Sequence, residues 1–269
     1  MMTRKKLLVK GLFIIGLLIC SYPIVSNLIE GYYQKNIIET YSESVCNKET
    51  NDLENEYRKG VEYNEALYSV QTPNSNKNSI LNEDSYNNIL NMGNGVMGSI
   101  EIPKINVNLP IYHGTSDEVL SVGVGHVFGS SLPIGEANTR SVLTGHRGLP
   151  SAKLFTRLDE LDKGDLFFIR VLDKTLAYKV FDIKVITPED INSIRTEKGR
   201  DLVSLITCTP YGINTHRLVV TGERVPFVQS EHDDIKPNSL SFRERLFIGI
   251  PLIFIFLVGV LKIKKMKFN

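Results

Sequence analysis

Leu205-Ile-Thr-Cys-Thr-Pro-Tyr-Gly-Ile-Asn-Thr-His-Arg217 is the stretch that decides how this chain folds. Ser204-Leu-Ile-Thr leads into it as a buried strand, because apolar and β-branched residues crowd the run and no breaker interrupts them. Thr209-Pro-Tyr-Gly is turn chemistry, and His216-Arg-Leu-Val-Val-Thr leaves as a second strand. Two antiparallel neighbours joined in this way hold the thiol of Cys208 and the guanidinium of Arg217 near one another across a loop. A free thiol has a pKa of ~8.5, which a nearby cation lowers. The permanent charge of Arg217 is also suited to an oxyanion formed when sulfur attacks a carbonyl.

The strand pattern continues outward from this pair. Short strands are expected at 98–102, 107–112, 140–145, 165–171, 175–187, 202–208 and 216–225, with Gly164-Asp165 before one of them and Asp173-Lys174 as a hairpin-like turn. Asp117 to Val122 and Ala152 to Leu158 read as short helices. Many short strands with brief helices between them predict a mainly β fold closed into a barrel. No internal repeat is visible.

A cysteine nucleophile needs a proton carrier for its leaving group. His146 has the most suggestive setting of the five histidines, Ser141-Val-Leu-Thr-Gly-His-Arg-Gly-Leu-Pro150, where an apolar strand runs into a glycine-bracketed ring. A second reading stays open on residue types alone. A cysteine in an apolar strand is also a small buried hydrophobe, and a histidine at a strand end is also a packed or solvated group.

Several ordered motifs bear on that choice. Ser204-Leu-Ile-Thr-Cys resembles the sortase cysteine motif Thr-Leu-x-Thr-Cys, with serine in the first place; Thr144-Gly-His-Arg-Gly resembles the histidine segment, and His216-Arg217-Leu the arginine strand. Met97-Gly-Ser-Ile-Glu-Ile-Pro-Lys-Ile-Asn, Leu109-Pro-Ile-Tyr-His-Gly-Thr, Val124-Gly-His-Val-Phe-Gly-Ser-Ser-Leu-Pro-Ile-Gly and Leu149-Pro-Ser-Ala-Lys-Leu-Phe-Thr are similar to segments of class C, pilin-polymerising sortases. The resemblance runs from about Gly95 to Val225. It implies an eight-stranded barrel with His146, Cys208 and Arg217 at one mouth. It also implies a transpeptidase that cleaves a Leu-Pro-x-Thr-Gly-like sorting signal between Thr and Gly through a thioacyl intermediate. In class C the acceptor is a lysine amine of a pilin subunit; in the housekeeping type it is a cell-wall peptide amine. An anchored assembly factor with a structural cysteine is the non-enzymatic alternative. Thr207 and Thr209 are candidate substrate contacts, whereas Arg147 and His216, each beside a catalytic position, are expected in structural or surface roles.

Charge and cysteine usage narrow the partners. The formal net charge is only +1, and no arginine stripe or aromatic RNA motif is present, so a nucleic-acid partner is not expected. Cys20, Cys46 and Cys208 have neither disulfide-framework nor zinc-ligand spacing, and His113, His126 and His146 lack a matching cluster. Neither metal nor cofactor is expected, since sulfur and imidazole supply the chemistry.

Both ends of the chain carry membrane signals. Residues 11–29 are largely uncharged, follow Arg4, Lys5, Lys6 and Lys10, and approach the ~20 residues a spanning helix needs. No Ala-x-Ala-like site follows, which favours an uncleaved anchor over a signal peptide. Leu246 to Leu261 is an uninterrupted apolar run, ending in Lys262-Ile-Lys-Lys-Met-Lys267. It is read as a second transmembrane helix, with a buried core helix as the alternative. The lysine clusters put both termini in the cytoplasm and the domain between them outside.

The expected organisation is therefore a basic tail (1–10), an anchor (11–29), a helical region (30–70), a linker or lid-like segment (71–94), the barrel (95–228), a linker (229–245), a membrane helix (246–261) and a basic tail (262–269). Class C sortases place a lid before the barrel, with an Asp-Pro-aromatic anchor over the cysteine. Here Thr72-Pro73-Asn74 keeps only the proline and Asp84-Ser85-Tyr86 lacks it, so no lid anchor is assigned.

Overall fold

A computed structural model describes residues 4–70, 82–190 and 194–267. Helix α1 (Arg4–Cys46) turns back into α2 (Thr50–Val70), and a short α3 (Glu83–Asn88) leads into the sheet. The strands are β1 (Val96–Ile102), β2 (Val107–His113), β3 (Val124–His126), β4 (Thr139–Thr144), β5 (Leu166–Val171), β6 (Lys174–Ile186), β7 (Asp201–Thr209) and β8 (His216–Val225). Helix α4 (Asp117–Val122) precedes β3, and α5 (Gln229–Asp234) and α6 (Phe242–Lys267) follow the sheet. The eight strands close into a barrel in the order β1-β2-β3-β4-β7-β8-β6-β5.

Strand alternation explains why the barrel closes on this sequence. Val203 and Leu205 of β7, Leu218 and Val220 of β8 and Leu143 of β4 belong to one buried core with Phe167 and Ile169 of β5 and Tyr178 and Val180 of β6. Successive side chains of a strand point to opposite faces. The residues between these core positions therefore face outward, and Thr144, Ile206, Cys208 and Arg217 share that outer parity.

Two details depart from expectation. A three-residue strand, Val124–His126, pairs parallel with β2 and antiparallel with β4 and completes the eight. Residues 152–158 form turns rather than a helix, with a 3-10 turn only at Leu158–Glu160. Ala152, Leu154, Phe155 and Leu158 mimic helical spacing because all are buried against the barrel. Leu154, however, takes a φ of +38°, outside helical space.

The helical region is bound to the barrel by its apolar stripe. Ile38, Tyr41 and Val45 of α1 are buried, and the Tyr41 hydroxyl donates to the Met97 carbonyl at 3.0 Å while accepting from Leu172 N–H at 2.9 Å. Burial pushes the Tyr41 phenol up to about 12. Tyr63 and Leu67 of α2 join the main core, where Leu53, Tyr57 and Val61 pack against it. Lower on α1, Leu12, Ile15, Leu18 and Ile19 are exposed. That stretch opens the helical segment Gly11–Cys46, which contains a window of mean hydropathy 2.2, long and apolar enough to cross a bilayer. An apolar surface of this kind is what a membrane anchor presents to lipid. Helix α6 runs beside it, with the rings of Phe13 and Phe254 stacked at 5.3 Å.

Of the segment read as linker or lid, residues 71–81 lie outside the described residues, Thr72-Pro73-Asn74 among them. Residues 82–94 are docked. Asn82 caps α3 by accepting from Ser85 N–H at 2.7 Å, and Tyr86 is fully buried. Its ring lies among Tyr63, His113, His126 and Phe128, at centroid distances of 5.0–6.0 Å.

Candidate active site

Cys208 and Arg217 are direct partners in the antiparallel ladder of β7 and β8. Residues so paired have Cβ atoms ~4.5–5.5 Å apart on the same face of a sheet. The thiol is unpaired with any other cysteine and partly accessible. The Arg217 guanidinium donates to its own loop, to the carbonyls of Asn214 at 3.2 Å and His216 at 3.1 Å, which points it back along the β7–β8 turn.

His146 follows β4, which lies parallel to β7 with Thr144 opposite Ile206. The ladder continues one step further, Gly145 N–H donating to Ile206 O at 3.1 Å. Two side-chain bonds then tie the residues on either side of the histidine to those on either side of the cysteine. Thr207 donates its hydroxyl to the Gly145 carbonyl at 2.7 Å, and Arg147 donates through Nη1 to Thr209 Oγ1 at 3.1 Å. His146 and Cys208, 62 residues apart in sequence like these bonded pairs, are thus bracketed together. The loop is closed from behind by Phe155 N–H to His146 O and Gly148 N–H to Thr156 Oγ1, both 3.1 Å.

A groove of about 280 Å³ is lined by Leu120, Val127, Thr144, Ile186 and Ile206 together with Asp190 and Arg217. It offers apolar side chains with one cation and one carboxylate among them.

Of the three residues expected to carry chemistry, Cys208 and Arg217 are paired directly, and His146 lies between two residues bonded to the neighbours of Cys208. Thr207 is buried with its hydroxyl proton held by Gly145, and Thr209 accepts from Arg147, so both hydroxyls serve the histidine loop. His216 is exposed and hydrogen-bonds Thr215 at 2.9 Å. Sequence reasoning read Tyr211 and Gly148 only as turn residues and did not single out Asp159, the carboxylate paired with Arg147.

The other histidines have structural partners. His126 is fully buried, with Nδ1 accepting from the Tyr86 hydroxyl at 2.9 Å and Nε2 facing the Ser131 carbonyl at 2.8 Å. Burial lowers its pKa to about 4, so it is neutral. His113 places Nδ1 3.0 Å from Gly95 O and Nε2 2.8 Å from Ile89 O, holding the α3–β1 connection on the barrel.

The Sortase domain family model matches residues 100–225. Sortase D of Bacillus subtilis (strain 168) is 34% identical over 131 residues, 48% of this chain and 63% of that protein's own length, which is under two thirds of it. The solved structure of Streptococcus pneumoniae sortase C, described for its catalysis and pilin substrate specificity, is 39% identical with a TM-score of 0.63. That match covers 71% of this chain and 97% of the other. Clostridium perfringens sortase C, solved with the C-terminal cell wall sorting motif, is 42% identical with a TM-score of 0.62, over 71% of this chain and 99% of that one.

Proposed function

This chain belongs to the sortase family, and from that premise we infer that it is a membrane-anchored cysteine transpeptidase acting on Leu-Pro-x-Thr-Gly-like sorting signals. The observation that carries the reading is the pairing of Cys208 with Arg217 beside the bracketed His146 loop. The Cys208 sulfur attacks the threonine carbonyl, a C–S bond forms, and the Thr–Gly C–N bond breaks. His146 gives its proton to the departing glycine amine and later takes one from the incoming amine. Arg217 steadies the oxyanion or the substrate backbone. Thr207 and Thr209 order the loop, and the apolar groove receives the leucine and proline of the signal.

The acceptor in this reading is a lysine amine of a pilin subunit, giving an isopeptide bond. Likeness to sortase C structures, one of them described for pilin specificity, supports that choice over a cell-wall amine. Helix α6 forms a second span beside α1, supported by the Phe13–Phe254 stack. Both termini are then cytoplasmic, and the barrel faces outward.

The test is incubation of the detergent-solubilised full chain with a sorting peptide, followed by mass spectrometry. A thioacyl adduct on Cys208 is expected, absent in Cys208→Ala. Transfer to a pilin lysine in preference to a peptidoglycan amine is the expected second step. A wild-type protein that forms no adduct would refute the reading.

A further inference from the structure

We propose that Arg147 is a positioning residue, which sets the His146 imidazole against the Cys208 sulfur by clamping the histidine loop to the end of β7. This rests on the transpeptidase reading above and deepens it.

Arg147 is the residue directly after His146, yet its side chain is only 4% exposed. Three groups on two separate segments hold it. Nη1 donates to Thr209 Oγ1, one residue beyond the sulfur; Nη2 pairs with the Asp159 carboxylate in the turn after β4; and the guanidinium carbon lies 5.9 Å from the centre of the Tyr211 ring. Tyr211 in turn lies over Gly148, where a Cβ would come within 2.8 Å of the ring. The guanidinium is therefore the centre of a cluster joining the segment after His146 to the segment after Cys208.

Burying a guanidinium almost completely costs several kcal/mol unless partners offset it, and apolar residues stabilise a loop as well or better. A loop that needed only to be stable would have no use for the charge. What the charge uniquely provides is a planar fork, with one arm on Asp159 and the other on Thr209. The fork fixes the backbone on both sides of the proton-transfer pair. Thr207, bonding Gly145 from the other flank, makes the bracket two-sided. Displacing a reacting group by ~1 Å costs on the order of 100-fold in rate. A clamp one residue from each reacting group is therefore a sensitive control point.

The experiment measures steady-state transpeptidation and the pH profile of Cys208 alkylation by iodoacetamide. It compares wild type, Arg147→Met, Arg147→Lys and Thr209→Val in the full chain. We expect Arg147→Met to lower kcat roughly tenfold to a hundredfold with KM changed less than about threefold. The alkylation midpoint should also shift. Thr209→Val keeps the Arg147–Asp159 pair and should reproduce much of the kcat loss, so the idea survives even if Arg147→Met folds poorly. Arg147→Lys, a point charge unable to span both partners, should recover only part of the activity. Combining Arg147→Met with Thr209→Val should add little to either alone. Unchanged kcat and alkylation profile in folded Arg147→Met, or in Thr209→Val, overturns the proposal. If wild type alkylates normally but transfers no peptide, the activity reading fails; a shifted profile in Arg147→Met then still supports the positioning role.

Discussion

Gly148 has a φ of +81°, and a Cβ there would sit 2.8 Å from the Tyr211 ring. Gly148→Ala is thus strained twice, by backbone and by contact, and should cost about 1–3 kcal/mol while disturbing the cluster around Arg147. Thermal unfolding alongside the transfer assay checks this; full stability and full activity would contradict it. Asp201 is a different kind of strained residue. Burial raises its carboxyl to about 6, although Tyr178 and Thr139 hydroxyls point at it. A folded pKa above the unfolded one means stability is complete below about 4 and declines as pH rises through about 6. Asp201→Asn should remove that slope and leave the protein more stable at neutral pH, by ~2–3 kcal/mol at most. Denaturant titrations at pH 4, 5, 6 and 7 would show whether the two proteins diverge over that interval.

At the scale of the element, α3 shows how a short polar segment is fixed by one aromatic residue. The Tyr86 hydroxyl shares its one proton between His126 Nδ1 and the His126 carbonyl and accepts from Gly114 N–H, all at 2.9–3.0 Å. Tyr86→Phe leaves the last and at least one of the others unpaired in a buried site, a cost of ~1–3 kcal/mol. Limited proteolysis should then cut within residues 82–94 faster than in wild type, and equal rates would count against the docking role. Acid should act on the same contact. His126 is depressed from its ordinary value of 6.5 to about 4. Its contribution is complete above about 6.5 and is lost as pH falls through about 4, where protonation removes the acceptor for Tyr86. Amide exchange in α3 should accelerate across that window and not above it. The element also shows a limit of local reading: Asn and Ser content suggested a linker, and nothing nearby in sequence announced the histidine pocket that receives Tyr86.

Across the whole molecule, α1 is one helix with two environments, exposed apolar side chains near its start and a barrel-bound stripe at Ile38, Tyr41 and Val45. The full chain should stay with membranes through an alkaline wash, and truncation before Phe242 should not release it, because α1 remains. Release by that truncation would mean α1 alone does not anchor. Short-range patterning by itself determined much here: apolar runs broken by turn residues specified seven of the strands and the apolar N-terminal helix. The cysteine–turn–arginine hairpin was legible for the same reason, since its partners lie nine residues apart. Val124–His126 was not, because three residues carry too little periodicity. Nor was the non-helical 152–158 segment, whose spacing came from barrel packing. Only the tertiary structure decided that β4 lies parallel to β7. That pairing joins residues 62 apart, brings the neighbours of His146 onto the neighbours of Cys208 and buries Arg147 between them. A parallel crossover of this length is selected by barrel closure and core filling, and these depend on every strand at once.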